Sequence, residues 1–290
     1  MAEPRPRGFL VAIGGNEDKT SDKAVLRSVL ELVRGGSRHV EVIPTASTLP
    51  KEVADDYIKA FKDLGVRKVG ILDIRSREDA DREDYAQRVH DCDVVYITGG
   101  DQVRLTSLLG GSKVGQAMRD TYFDGGVVAG TSAGAAAMST TMIAGGDHEQ
   151  AMRKRSVAMT PGLGLVKDCV IDTHFLDRGR VSRLLEVVAT NPGTIGLGVG
   201  EDTGILVRDG HRVEVLGSGI VVVVDGKEIR TSNVPDAGPH EPLAVERLIL
   251  HTLVAGYGFD LAEHVYSAPP AKKKTAEEKR AEAKAGEAGR

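Results

Sequence analysis

Residues 126–141 read GVVAGTSAGAAAMSTT, an apolar run feeding a tight Gly-Thr-Ser-Ala-Gly turn and then a series of small residues with helical character. A strand that turns sharply into a helix is the repeating joint of an α/β fold, and a G-x-S-x-G turn at that joint holds its serine on the bend with Oγ exposed. The helix that follows aims its N-terminal dipole at the same point. Gly130, Ala133 and Gly134 are small where strand and helix backbones must approach closely. On spacing alone two readings stay open at Ser132: a nucleophile, or a turn that merely needs tight packing.

The surrounding chain repeats the joint. Residues 8–15 (GFLVAIGG) form a short apolar run closed by glycines, followed by a polar loop, Asn16-Glu17-Asp18. Val25, Leu26, Val29, Leu30 and Val33 recur at helical spacing, residues 39–44 read as a strand, and Val53, Tyr57, Ile58, Phe61 and Leu64 mark a second helix. A strand over 69–74, an exposed helix over 77–91 and a strand over 93–98 come next. That last strand runs into Gly99-Gly100, at the sheet edge where α/β proteins place ligands; a tight strand-to-helix turn would need the same glycines. Strands alternating with helices define an α/β fold with a doubly wound, mainly parallel sheet. Residues 205–207, 213–216 and 220–224, separated by Gly-rich turns, read as antiparallel strands at its far edge. Residues 243–254 read as a last amphipathic helix.

The 290 residues, 41% of them hydrophobic, suffice for one large domain, expected over 1–270. Residues 271–290 hold seven Lys/Arg against four Asp/Glu without apolar periodicity, and are expected to be a disordered charged tail. That surplus of +3 within a net charge of −4 leaves −7 on the rest of the chain. An acidic body with no Trp and 4% aromatic residues offers little to nucleic acid. No apolar run approaches the roughly 18 residues of a membrane span, and the N-terminus lacks a signal peptide's apolar region. A cytoplasmic protein without nucleic-acid or membrane partners is expected. Cys92 and Cys169 have no CxxC partner and read as buried thiols. Asp147-His148-Glu149 sit too close together on a loop to converge on one metal ion, so no metal site is expected.

A serine nucleophile needs a base in contact, an acceptor that orients the base, and donors for the developing oxyanion. His174 and Glu201 each follow an apparent strand, over 169–174 and 194–199, and supply the base and the acceptor for Ser132. The other candidates, His39, His90, His211, His240, His251 and His264, read as lying in polar loops or on helices away from such strand ends. The amides of Ala133 and of Gly99 or Gly100 can serve as oxyanion donors. The order Ser, His, acid differs from the Ser, acid, His of ordinary α/β-hydrolases and so excludes a lipase-type reading. Arg180 and Arg183 share a face at the start of a helix, where cations oppose the macrodipole unless an anion lies beside them. An anionic ligand and a solvated basic face are both consistent with that placement.

Residues 8–16, 97–102 (ITGGDQ), 130–143 (GTSAGAAAMSTTMI), 162–166 (GLGLV), 171–185 (IDTHFLDRGRVSRLL) and 198–204 (GVGEDTG) together resemble the cyanophycinase family, within the serine peptidase group that also contains peptidase E. The resemblance runs over about residues 8–260. It implies a flavodoxin-like three-layer sandwich, a homodimer, and no metal or organic cofactor. Ser132, His174 and Glu201 take the family's triad positions. The implied substrate is cyanophycin, a poly-aspartate carrying arginine on each β-carboxyl, cut in its backbone to release β-Asp-Arg dipeptides. Gln102 takes the position that aligns the substrate backbone. Asp172, Arg178, Arg180 and Arg183 supply the mixed charges that such a guanidinium- and carboxylate-bearing unit requires. Where the family pattern has glutamine, this chain has Thr173, shorter and without an amide, at a substrate-binding position. The resemblance therefore also admits another Asp-containing or β-aspartyl peptide as substrate, as for peptidase E. A reading from outside enzymology, a module that holds an anion at the 99–100 and 130–134 turns, remains as the contrast.

Overall fold

In the computed structural model, which describes residues 5–35, 38–146 and 152–269, the glycine-closed apolar runs become strands and the three-and-four-spaced stripes become helices. The first half alternates: β1 (Phe9–Ile13), α1 (Ala24–Glu31), β2 (His39–Ile43), α2 (Pro50–Asp63), β3 (Lys68–Ile71), α3 (Arg77–Ala80), α4 (Glu83–His90), β4 (Val94–Ile97), α5 (Gln102–Leu109), α6 (Lys113–Asp124), β5 (Val127–Thr131) and α7 (Ala133–Ala136). The second half is richer in strands: β6 (Thr141–Gly146), β7 (Val157–Pro161), β8 (Cys169–Thr173), α8 (Val181–Thr190), β9 (Ile195–Val199), β10 (Thr203–Arg208), β11 (Arg212–Gly217), β12 (Val221–Asp225), β13 (Ile249–Leu253), β14 (Gly258–Asp260) and β15 (Val265–Ser267). Among the described residues these form a nine-stranded sheet, β15-β14-β11-β10-β1-β5-β4-β2-β3, a four-stranded sheet, β13-β12-β9-β8, and the pair β6-β7.

The large sheet is parallel from β1 to β3 and antiparallel from β1 outward to β15, the α/β arrangement with antiparallel edge strands that the sequence predicts. Side chains alternate across each strand, and in β1 the alternation separates two cores. Val11 and Ile13 pack with Val25, Leu26, Tyr57 and Phe61 of α1 and α2. Leu10 and Ala12 join the core on the opposite face, with Leu105, Met118 and Tyr122 from α5 and α6. Each such side chain, fully removed from water, contributes roughly 1.5–3 kcal/mol before entropy is counted.

Three local expectations are corrected. The stretch 77–91 is two helices, because Ser76 and Asp79 close a capping box around the single turn α3 and the chain restarts at α4. Residues 220–224 do not extend the large sheet: β12 pairs with β9 in the smaller one. Residues 243–254 contain a strand, not a helix, for β13 runs antiparallel along β12 from Leu253 opposite Val221 to Ile249 opposite Asp225. A short apolar run suits either structure on pattern alone, and here the unpaired backbone edge of the valine strand β12 decides. The smaller sheet turns Val221 and Val223 into the core shared with the large sheet, and Val222 and Val224 outward against Leu184 and Val188 of α8. Cys92 and Cys169 are buried free thiols, with burial raising each to about 12. Asp147-His148-Glu149 and the 271–290 tail lie outside the described residues.

Candidate active site

Strand β5 delivers the chain to Ser132, whose backbone sits at φ 51, ψ −112, a left-handed conformation rare outside glycine and common where strain serves a site. The bend is closed by the Ser132 amide donating to the Ile13 carbonyl at 2.9 Å. It also depends on small neighbours. A Cβ on Gly130 would come 2.7 Å from the Gly134 carbonyl carbon, and one on Gly134 would press into Ile97. Helix α7 is a single turn, shorter than the sequence suggests.

His174 and Glu201 arrive from the other sheet. β8 and β9 lie parallel and adjacent, so the residues just beyond their ends, His174 and Glu201, emerge side by side. His174 Nε2 lies 2.9 Å from Ser132 Oγ, and His174 Nδ1 lies 2.7 Å from Glu201 Oε1. A carboxylate can only accept, so Nδ1 donates to Glu201 and neutral Nε2 is left to accept from the serine hydroxyl. Hydrogen bonds from His174 first, and from Asn16 second, hold the Glu201 carboxyl below its usual range. The site therefore spans two sheets, where the sequence suggests the strand ends of one.

The loop after β1 carries much of this alignment, and sequence reasoning missed it beyond noting its polarity. The Gly14 carbonyl accepts from the His174 amide at 2.8 Å. Gly15, at φ 106, lies flat against the imidazole, where any Cβ would overlap the ring. Asn16 Nδ2 donates to Glu201 Oε2 at 2.8 Å. The glycines ending β1 at the ligand-bearing edge of a parallel sheet were the available signal.

Gly99 and Gly100 follow β4. A Cβ on Gly99 would stand 3.2 Å from that of Ser132, and Gly100, at φ 143, leaves no room for one beside the Ala46 carbonyl. Gly100, Ser132 and Ala133 border a cavity of about 260 Å³. Gln102, Asp172, Thr173, Arg178, Arg180 and Arg183 line the same cavity, and residues 143–146 of β6 form a wall that the sequence reading did not supply. Gly99 touches Ser132 without lining it. A larger cavity of about 530 Å³, between Arg7, His90 and Asp124, lies at the opposite ends of the strands and holds none of these groups.

The charged wall is already partly paired. Asp172, 2% exposed, accepts from Arg183 Nε at 2.6 Å and from a second Arg183 nitrogen, and lies 3.5 Å from Arg180 Nη1. The anion that offsets two arginines at the start of α8 is thus a residue of the protein. Arg180 also donates to the Thr173 carbonyl at 2.6 Å; burial, aided by Arg183's charge, pushes it down to about 10. Arg178 is exposed at the rim. Gln102 spends its amide hydrogens on the carbonyls of Ile143 and Ala144, at 3.0 and 3.3 Å, which leaves its oxygen available.

The fold is of α/β class with Ser132, His174 and Glu201 in contact at one edge, and comparison with known proteins gives its family. The sequence pattern of peptidase family S51 matches residues 9–215, and the chain belongs to that family. Proteins named cyanophycinase are its relatives: that of Trichormus variabilis is 39% identical over 254 residues, covering 87% of this chain and 85% of that one. That of Geminocystis herdmanii is 34% identical over 259 residues, covering 89% and 95%. A crystal structure of a peptidase from an acI-B1 actinobacterium shares the fold at a TM-score of 0.65 and 20% identity, covering 89% of this chain and 98% of that one. A putative peptidase E from Listeria monocytogenes EGD-e overlays at 0.50, also with 20% identity, covering 73% and 99%.

Proposed function

We propose that this chain is a serine exopeptidase that cuts the poly-aspartate backbone of cyanophycin and releases β-Asp-Arg dipeptides through an acyl-enzyme on Ser132. The observation that carries the reading is the unbroken contact from Ser132 Oγ through His174 to Glu201; the relatives named cyanophycinase support the substrate. Ser132 Oγ attacks the scissile carbonyl while His174 Nε2 takes its proton, and Glu201 holds the resulting imidazolium. The amides of Ala133 and of Gly99 or Gly100 stabilise the oxyanion. Collapse breaks the C–N bond, and His174 returns the proton to the leaving amine. A water, deprotonated by the same imidazole, then hydrolyses the ester and restores Ser132.

Arg178 and Arg180 bind the substrate carboxylate, Asp172 holds the arginines, and Gln102 and Thr173 contact the backbone. Because Thr173 lacks a side-chain amide and its backbone carbonyl is taken by Arg180, a related Asp-specific or β-aspartyl peptidase of the peptidase E type is the second reading. The enzyme works in the cytoplasm as a homodimer, without metal or organic cofactor; no helix among the described residues is long and apolar enough to cross a membrane. The test is product analysis with insoluble cyanophycin beside Asp-containing and β-aspartyl dipeptides. Soluble β-Asp-Arg released by the parent and lost in Ser132→Ala is expected. Cleavage of the dipeptides alone would favour the second reading. Release by the Ser132→Ala variant would overturn the mechanism, and covalent labelling of Ser132 by a fluorophosphonate would exclude a non-catalytic anion-binding module.

A further inference from the structure

Beneath the serine turn lies a charged group that the mechanism above does not use. Glu17 is 2% exposed, and its carboxylate accepts from three neutral hydroxyls: Tyr57 and Tyr96 on Oε1, the latter at 2.7 Å, and Thr131 on Oε2 at 2.6 Å. Tyr57, Tyr96 and Thr131 are themselves buried. None of the ion pairs among the described residues includes Glu17; the nearby Lys19 reaches only its backbone carbonyl. Burying a carboxyl group without a cation is costly unless its lone pairs find donors, and these three hydroxyls are the donors the fold supplies. Such an arrangement is a poor choice for stability alone, because apolar packing of similar volume would serve at least as well.

Its connections explain it better. Thr131 is the residue before Ser132, Tyr96 lies on β4 just before Gly99, and Tyr57 lies on α2, so all three donors belong to the large sheet and its helices. Glu17 itself belongs to the loop that grips the products of the smaller sheet, through Gly14 on His174, Asn16 on Glu201, and Gly15 and Asp18 on Asp202. Resting on the triad reading above, we infer that Glu17 is a positioning residue that sets the distance between the nucleophile, carried by one sheet, and the base-acid pair, carried by the other. It touches no reacting atom. Burial and the charge of Glu17 raise both tyrosines well above their ordinary value, which keeps them donors.

The test compares Glu17→Gln, Thr131→Val and Thr131→Ser in the full chain. The readouts are the rate constant for fluorophosphonate labelling of Ser132, and kcat and KM on cyanophycin, at a temperature where circular dichroism finds each variant folded. A small misplacement of reacting groups costs on the order of 100-fold. Glu17→Gln and Thr131→Val are therefore expected to slow labelling and lower kcat roughly 10- to 100-fold at nearly unchanged KM, while Thr131→Ser, which keeps the donor, retains most of both. If Glu17→Gln fails to fold, the isosteric Thr131→Val carries the test. Labelling and kcat within about twofold of the parent in Thr131→Val and in any folded Glu17→Gln would overturn the inference. If the parent labels at Ser132 yet leaves cyanophycin intact, the substrate assignment alone falls, and the labelling rates decide the role of Glu17.

Discussion

Two buried carboxylates flank Ser132, and they are handled in opposite ways. Glu17, on the side of the β1 loop, is solvated by neutral hydroxyls; Asp172, on the side of α8, is clamped by guanidinium groups. Both are 2% exposed, so burial is not what separates them. Neutral donors preserve a carboxylate's charge while fixing its position, which suits a joint between rigid parts. Guanidinium partners cancel that charge and leave the surrounding wall with surplus positive charge, which suits recognition of an acidic chain. On the function proposed above, one side of the serine aligns the reaction and the other selects what is brought to it.

The comparison breaks most visibly at the aligning side. Glu201→Gln should keep the geometry but remove the charge that favours the reactive imidazole tautomer, lowering kcat by roughly 10²- to 10⁴-fold with little change in KM. Steady-state kinetics check it, and a main effect on KM would move Glu201 to the recognition side. Asp172→Asn leaves Arg183 buried with half its pairing gone. Breaking a buried ion pair costs about 3–5 kcal/mol, so a large drop in the urea midpoint is expected, and an unchanged midpoint would mean that the arginines find other acceptors.

A smaller effect is expected at Arg180. Lysine there keeps the charge but loses the planar fork, and KM for an acidic substrate should rise roughly tenfold, about 1.4 kcal/mol, with kcat nearly constant. Unchanged kinetics would confine Arg180 to its contacts with Thr173 and Asp172. Smallest is the alkaline response of the Glu17 cluster. Tyr57 and Tyr96 hold their protons more tightly folded than unfolded. Their contribution is complete below about pH 10, where an unfolded tyrosine ionises. Above it the unfolded chain carries fewer protons than the folded one, so stability falls as pH rises toward the folded-state values. Denaturation midpoints measured from pH 8 to 11 should fall less steeply in Tyr57→Phe than in the parent; parallel curves would detach the tyrosine from the effect.

Legibility followed the range of the forces involved. The turn at Ser132 could be read because steric demands act over a few residues: Gly130 and Gly134 are needed wherever strand and helix meet so closely. His174 and Glu201 could be read because each follows a recognisable strand. The strand at 249–253 could not, since its structure comes from the open edge of β12 nearly thirty residues earlier. The same limit concealed the pairing of Arg183 with Asp172 and the part played by Gly15 and Asn16. Nothing local marks a glycine that must lie against an imidazole 159 positions later.

By itself, then, the sequence determined an alternating α/β chain, a tight serine turn and the order of the candidate triad residues, because backbone sterics and hydrophobic period are written into neighbouring positions. Only the tertiary structure decided that two sheets share the site, that Asp172 pairs with Arg183 and Arg180, and that a buried Glu17 joins the serine turn to the loop gripping His174 and Glu201. Those depend on which surfaces exclude water together, and that is a property of the whole packed chain.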